Sequence, residues 1–379
     1  MNVEEIPKNL HAYFESLEDQ RRGAGKRHKL IEVITIAICG IICGADDWSG
    51  IEEYGKAKEE WLRQFLALPH GIPSHDTFGR IFSWLEPQAF EKSFLSWVQA
   101  VMAITSGQVI AIDGKTLRRS HDRTNGKEAI HMVSAWAEKN HLVLAQVKVD
   151  EKSNEITAIP ELLRVLALKG CIVTTDAMGC QQEIAAIVVE KGGDYLLAVK
   201  ENQGQLYQDI GELFDGAEEV DFFDVEHTHA KTTNKNHGRI EVRKCWAVTE
   251  PDFIHYLRGL ENWKNLRTLV KVTCQRQTAT GTTQENRFFI SSLHAPAKQL
   301  LKAVRGHWSI ENGLHWVLDV AFREDECRVR KEHAPENLAV LRHIALNLLK
   351  QDTTIKRGIK NKRLVAAWNN DYLIHLFKG

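Results

Sequence analysis

The first hundred residues carry apolar positions at helical spacing. The run LIEVITIAICGIICGA (30 to 45), interrupted by Glu32, is shorter than the roughly 20 residues of a membrane span and predicts a buried helix. The segment 48 to 68 predicts further helix, and Ser74 is placed to cap another one after the turn PHGIP. Helix, tight turn and short helix are the outline of a helix-turn-helix, which any antiparallel helix pair also gives. We therefore predict an all-α N-terminal domain over residues 1–104 that binds DNA.

The next hundred residues change to short runs of β-branched and apolar residues. Three such runs come first, and the last two are joined by a turn of hairpin length. Helix, strand, helix and strand then alternate, which is typical of crossover connections. The segments are 108–112, 129–137 and 141–149 for the first strands, then 157–168, 171–176, 181–191 and 194–200. They predict a mixed α/β sheet with flanking helices over residues 105–201.

Residues 202–292 are rich in polar strands and predict a β-rich insertion, after which helical periodicity returns for the segment 293–379. On the helix predicted for 296–322, one set of residues recurs at alternating steps of four and three, which predicts a single inward face. The set is Val304, Trp308, Glu311, His315, Leu318 and Phe322. Glu311 is thus expected within an apolar seam.

Composition and charge narrow the class of protein. The chain has 379 residues, 43% of them hydrophobic and 26% charged, as in ordinary globular proteins. Seven cysteines without a C-x-x-C pair, and an N-terminus without signal-peptide features, favour a cytoplasmic protein with no membrane partner. The net charge is −1, but basic residues cluster at 20–29, 115–127 and 356–363. Such clusters indicate a polyanion-binding surface, and solvated loops remain the alternative.

Two aspartates occupy equivalent positions. Asp113 and Asp176 each end a short apolar strand, where α/β folds place functional side chains in a crevice. An aspartate that merely begins a turn is the alternative for each. The Gly114-Lys115 pair does not make a phosphate-binding P-loop, because no glycine stands at the required upstream position.

Glu311 adds a third carboxylate. A buried carboxylate is costly unless it is paired or bound to a metal, and an Arg or Lys partner stays open. Three converging carboxylates predict a site for Mg²⁺ or Mn²⁺, with two ions acting on a phosphodiester. Lys115, Arg118 and Arg119 would then neutralise nearby DNA phosphates. Zinc is an alternative, because His307 and His315 stand four residues to either side of Glu311.

Ordered motifs give the chain a family resemblance. It resembles the H-repeat-associated (ISAs-type) insertion-sequence transposases, which belong to the DDE class and have an RNase H-like core. The similarity spans roughly residues 10 to 350. The stretches that carry it are GIPSHDTFGRIF (71 to 82), IAIDGKTLR (110 to 118), TTDAMGCQ (174 to 181), VKENQ (199 to 203), HWSIENGLHWVLDVAFREDECRVR (307 to 330) and NLAVLRHIALNLLK (337 to 350).

The resemblance implies roles for individual residues. Asp113, Asp176 and Glu311 match the DDE positions, and the β-rich insertion precedes the glutamate helix. The wider group carries a Y-x-x-R-x-x-x-E-x-x-x-x-x-x-K signature. This chain has Val304, His307 and Leu318 in place of its Tyr, Arg and Lys, so other residues are expected to bind the terminal phosphate. By resemblance, Lys200 and Asn202 match a strand-end motif that contacts DNA ends. Arg305 or Arg328 is expected to hold the terminal phosphate instead, and His307 and Arg330 complete the set of expected DNA-binding residues.

The resemblance also implies a function. The protein is expected to bind the terminal inverted repeats of an element, hydrolyse a phosphodiester and transfer the freed 3′-hydroxyl to target DNA, as a homodimer or larger assembly on nucleoid DNA. A catalytically defective or domesticated DNA-binding protein is the first alternative, and a nuclease that only cuts is the second.

Overall fold

A computed structural model describes residues 12–15, 17–19, 21, 26–101, 107–121, 128–149, 154–236 and 238–377. Residues 1–11, on which the prediction about a signal peptide depends, and parts of the first two basic clusters (22–25 and 122–127) lie outside this range. The strands are β1 Val109–Thr116, β2 His131–Ala137, β3 Leu142–Lys148, β4 Ile172–Thr175, β5 Asp194–Val199, β6 His227–Asn236, β7 Arg239–Val248, β8 Thr268–Thr278 and β9 Gly281–Ser291.

The α-helices are numbered in the same way. They are α1 Leu30–Ile42, α2 Trp48–Ala57, α3 Glu59–Leu62, α4 His75–Trp84, α5 Pro87–Val101, α6 Glu155–Val165, α7 Gln182–Glu190, α8 Gly204–Glu219, α9 Pro251–His255, α10 Ala297–His307, α11 Trp316–Phe322, α12 Ala334–Gln351, α13 Ile359–Trp368 and α14 Asn370–Leu376. Within the described part of the chain, no helix is long and apolar enough to cross a membrane.

The predicted mixed sheet is confirmed. The described strands form one nine-stranded sheet in the order β3-β2-β1-β4-β5-β9-β8-β7-β6. In the first part, β2 is antiparallel to both β1 and β3, whereas β1, β4 and β5 run parallel and are joined by the crossover helices α6 and α7. This meander followed by crossovers is the RNase H-like core. It places the ends of β1 and β4 side by side.

The β-rich insertion continues the same sheet. Strand β9 pairs antiparallel with β5, where Leu197 lies opposite Ile290, and β8, β7 and β6 follow outward. The ends of β8 and β9 nearest the core are buried, and the far ends, around Gly281, are exposed. Helix α10, which leads into Glu311, packs across β6, β7 and β8. The insertion therefore widens one sheet and carries the glutamate helix on its surface.

Helix α12 joins the N-terminal helices to the sheet. It is buried from Ala334 to Leu349 and packs against α1, α4, α5 and β3. The Asn337 carboxamide donates to the carbonyls of Phe82 and Leu85, both at 2.8 Å, which satisfies the end of α4. The N-terminal helices and the sheet consequently share one apolar core.

The cap of α4 agrees with the sequence prediction. The hydroxyl of Ser74 accepts a hydrogen bond from the backbone N–H of Thr77 at 3.3 Å. Phe78 and Phe82 on this helix are fully buried, and Phe82 stacks on Trp48 with ring centroids 5.0 Å apart. Helix α4 packs against both α2 and α12, and these contacts hold the helix-turn-helix outline.

The third basic cluster is only partly a surface feature. Lys362 is buried and donates to the Leu349 carbonyl at 2.9 Å, and its ammonium lies 3.1 Å from Asp352. Arg363 is also buried and pairs with Asp46 at 3.0 Å. The prediction that the 356–363 cluster contributes to a polyanion-binding surface was wrong for these two cations, because they are buried and hold the C-terminal helices against the core.

Candidate active site

Three elements bring the predicted carboxylates to one cleft. Asp113 lies in β1 just after its buried half, and Asp176 directly follows β4, the parallel neighbour. Because parallel strands end at the same sheet edge, both side chains face the same crevice. Glu311 reaches it from the helix that crosses the sheet. All three line a cleft of about 800 Å³.

Within the cleft, the tightest group is Asp113, Glu311 and His315. One ligating atom from each lies within 4.8 Å of the others. The imidazole Nδ1 of His315 is 3.2 Å from Glu311 Oε2 and 3.6 Å from Asp113 Oδ2. Asp176 lines the cleft but stands outside this group. It also begins a turn, since its carboxylate accepts the backbone N–H of Gly179 at 3.2 Å.

The glutamate helix contains an irregular turn. A π-helical turn spans Glu311–His315, where the N–H of Trp316 bonds to the Glu311 carbonyl. The Glu311 side chain is 57% exposed and Trp308 is 52% exposed. The expectation of one continuous buried seam was therefore wrong at these two positions, because they face the open cleft instead of packed side chains.

Strand β2 supports this turn. Trp136 is fully buried, and its indole N–H donates to the Ser309 hydroxyl at 3.0 Å. A Cβ atom at Gly313 would lie 2.7 Å from the Trp136 ring, so only glycine allows this close approach. The Trp136 contact thus fixes the height of Glu311 above the sheet.

The carboxylates repel one another. Burial, followed by the negative charges of Asp176, Glu155 and Glu311, raises the pKa of Asp113 to about 7. Burial also raises the pKa of Asp176, which the nearby Lys200 lowers in part. In the described ranges, no lysine or arginine forms an ion pair with Asp113, Asp176 or Glu311. A cation that entered the cleft would relieve this repulsion.

Lys115 lies behind the site. Its ammonium pairs with Asp319 and with Glu324, at 2.8 Å from the latter, and its side chain is only 13% exposed. It ties β1 to the glutamate helix and to the turn that follows, and it does not line the cleft. Arg118 is exposed and lies 3.2 Å from Asp325.

Other predicted DNA-binding residues fall in two places. Lys200, Asn202 and His307 line the cleft, whereas Arg305 lines an adjoining groove of about 620 Å³. Four further arginines line that groove: Arg239, Arg243, Arg276 and Arg287. Arg119 and Arg328 are exposed elsewhere, and the Arg330 guanidinium donates to the Arg119 carbonyl at 3.0 Å.

Two of the cleft residues make structural contacts. The Asn202 carboxamide donates to the Ala177 carbonyl at 2.7 Å and thereby braces the turn after Asp176. The His307 ring lies 3.1 Å from the Thr174 hydroxyl, and burial lowers its pKa to about 4. His307 is not part of the group around His315, so the His-Glu-His zinc arrangement is not formed.

The sequence did not single out Glu155 and His131. Glu155 opens α6 beside the cleft, and its carboxylate lies 2.7 Å from His131 Nε2. Both side chains press against Gly114, where a Cβ atom would collide with them. A glycine directly after a strand-end aspartate was the available signal, and it indicates close approach by another side chain.

Comparison with known proteins shows that this chain is similar to transposases. The family described as Transposase DDE domain matches residues 104–348, and the one described as DDE_Tnp_1-associated matches residues 11–98. The H repeat-associated putative transposase YhhI of Escherichia coli (strain K12) is 39% identical over 376 residues, 98% of each chain. The putative transposase YncI of Escherichia coli O157:H7 is 42% identical, with 97% of this chain and 93% of that one covered. A piggyBac transposase synaptic complex with hairpin DNA aligns at 9% identity and a TM-score of 0.42, over all of this chain and 79% of that one.

Proposed function

Since the chain belongs to the Transposase DDE domain family, we propose that it cleaves phosphodiesters at the ends of a DNA element and joins the freed 3′-hydroxyl to target DNA. The observation that carries this proposal is the set of three carboxylates, Asp113, Asp176 and Glu311, on one cleft without a lysine or arginine ion pair among the described residues. Two copies of the chain would act together, since two ends must be paired.

The donors in the cleft fit a divalent cation. Carboxylate oxygens are the ligands that Mg²⁺ and Mn²⁺ accept, and the raised pKa of Asp113 reflects negative charge that such an ion would balance. Asp113 feels the charges of both Asp176 and Glu311, so it would contribute to both ions of a pair. When bound, the metal lowers the pKa of the attacking water or hydroxyl and stabilises the leaving oxygen.

The protein residues hold and orient the DNA. The cleft opens beside Lys200, and the adjoining groove carries Arg305, so a phosphate backbone passing from one to the other would meet positive charge at both. Glu241 and Glu285 pair with several groove arginines, which leaves this charge moderate. Affinity for DNA should therefore depend on shape as well as on charge.

Labelled DNA ends test the proposal. Protein incubated with its element ends and Mg²⁺ or Mn²⁺ should yield nicked and joined products, and Asp113→Ala and Glu311→Ala should bind the ends without forming either. Variants that still join ends in Mg²⁺ would refute the assignment. Nicking without joining would identify a nuclease, and binding without nicking by the unaltered protein would identify a DNA-binding protein derived from a transposase.

A further inference from the structure

The proposed site of three carboxylates assigns no role to His315, although this residue lies beside two of them. Its side chain is 6% exposed, and Nδ1 points between Glu311 and Asp113. A structural histidine in an apolar core ordinarily bonds to a backbone carbonyl or a hydroxyl. This one presents its nitrogen to the two acids that face the cleft.

The donor separations suit a single ion. Ligands about 2.1 Å from a six-coordinate metal lie about 3 Å apart when they are adjacent. The distances from His315 Nδ1 are 3.2 Å to Glu311 Oε2 and 3.6 Å to Asp113 Oδ2. The Asp113 and Glu311 oxygens lie within 4.8 Å of each other, so side-chain movement without a change of the backbone would bring all three atoms onto one ion.

The second nitrogen of the imidazole, Nε2, is also placed as in a metal-binding histidine. A histidine that binds metal through one nitrogen carries its proton on the other, and that N–H normally reaches a second acceptor. In the described structure, His315 Nε2 is buried without a hydrogen-bond partner, and so are His343 Nδ1 and Glu324 Oε1. Glu324 and His343 are both buried and interact electrostatically with His315 and with each other, so we refer to them as the polar layer beside His315. A polar atom of that layer can accept a hydrogen bond from the Nε2–H, directly or through a water molecule.

We propose that His315 is a nitrogen ligand of one of the two cations, together with Asp113 and Glu311, which makes that position a mixed nitrogen and oxygen site. The inference rests on the proposed function and deepens it. Imidazole suits transition metals and not Mg²⁺, so this position should prefer Mn²⁺. Asp176 would contribute to the all-oxygen position that accepts Mg²⁺.

Pulsed electron paramagnetic resonance on the full-length protein tests the proposal. Mn²⁺ bound to the unaltered protein should show nuclear modulation from a directly coordinated ¹⁴N, and ¹⁵N-histidine labelling should replace it with the ¹⁵N signal. His315→Ala should lose the modulation and raise the Kd for Mn²⁺ by at least about tenfold, with a smaller change for Mg²⁺. His307→Ala is the matched control, since His307 lines the same cleft but bonds to Thr174. It should retain the modulation.

The possible results distinguish the role of His315 from the proposed carboxylate metal site. Bound Mn²⁺ without nitrogen modulation in the unaltered protein would overturn the role of His315 and leave the carboxylate site standing. Failure to bind Mn²⁺ at millimolar concentration would overturn both. Because the isotope experiment uses unaltered protein, a His315→Ala variant that fails to fold does not affect it.

Discussion

Asp113→Asn is expected to stabilise the metal-free protein at pH 8 while abolishing the proposed DNA cleavage and joining. Burial and neighbouring carboxylates raise the pKa of Asp113 from 3.8 to about 7 in the folded protein. The folded state therefore keeps its proton between about pH 4 and 7, where the unfolded state has released it. Folding stability must fall as pH rises through this window, because the folded state binds the additional proton.

The expected gain in the free energy of unfolding follows from the shift in the pKa of Asp113. Three pKa units at about 1.36 kcal/mol each give about 4 kcal/mol as an upper limit. The Asp113 side chain is 26% exposed, so solvent screening reduces the cost, and we expect about 2–4 kcal/mol. Asparagine retains the shape and the acceptor oxygen without the charge. The variant should gain this amount at pH 8 and nothing near pH 4.

Urea denaturation in the presence of a chelator, from pH 4 to 8.5, measures the difference. Asp252→Asn, at an exposed position of α9, is the control and should show no comparable pH-dependent gain. Adding Mn²⁺ should stabilise the unaltered protein and not Asp113→Asn, since only the former binds the ion tightly. A variant that is equally or less stable than the unaltered protein at pH 8 would refute the electrostatic account of the cleft.

Three further substitutions test the surroundings of the site. Lys115→Met leaves the buried Glu324 dependent on Arg342, 3.5 Å away, and should lower the unfolding free energy by up to about 3–5 kcal/mol in urea denaturation, with little change in DNA affinity. A large loss of affinity at unchanged stability would restore Lys115 as a DNA contact. Gly114→Ala should displace Glu155 and weaken Mn²⁺ binding in titration calorimetry, and unchanged binding would show that the crowding is harmless. Burial raises the pKa of Glu91 from 4.5 to about 8, so stability should fall between these pH values, and Glu91→Gln should be about 2–5 kcal/mol more stable at pH 9 but not at pH 4.5. A gain that is the same at both pH values would contradict this.

Local sequence was sufficient for the sheet and for Asp176, which directly follows β4. The prediction that Asp113 ends its strand was wrong, because β1 continues to Thr116 through its pairing with β2, and Asp113 lies where the pairing with β4 stops. Apolar runs such as those of β1 and β4 are read directly as buried strands, and parallel pairing places Asp113 and Asp176 at one edge. The insertion was predicted as strands, but its attachment to β5 depends on pairing between distant segments, which periodicity does not encode.

The remaining details depend on contacts across the chain. The ion pairs of Lys115 join residues 204 and 209 positions apart, so the sequence showed a free cation where the structure has a buried one. The π turn at Glu311 changes which face a residue occupies, and helical spacing assumes a regular helix. His315 illustrates both limits, since its spacing suggested zinc with His307 and the fold gives it Asp113 instead.

The position of Glu311 far along the chain affects when the cleft can form. Ribosomes add about 5–20 residues per second, so the 198 positions between Asp113 and Glu311 correspond to roughly 10–40 s of synthesis. Helix α12, which the N-terminal helices require for packing, emerges later still. The nascent chain therefore spends most of its synthesis with exposed apolar helices and no complete carboxylate set. The three carboxylates can therefore meet in one cleft only after the segment that contains Glu311 has been synthesised.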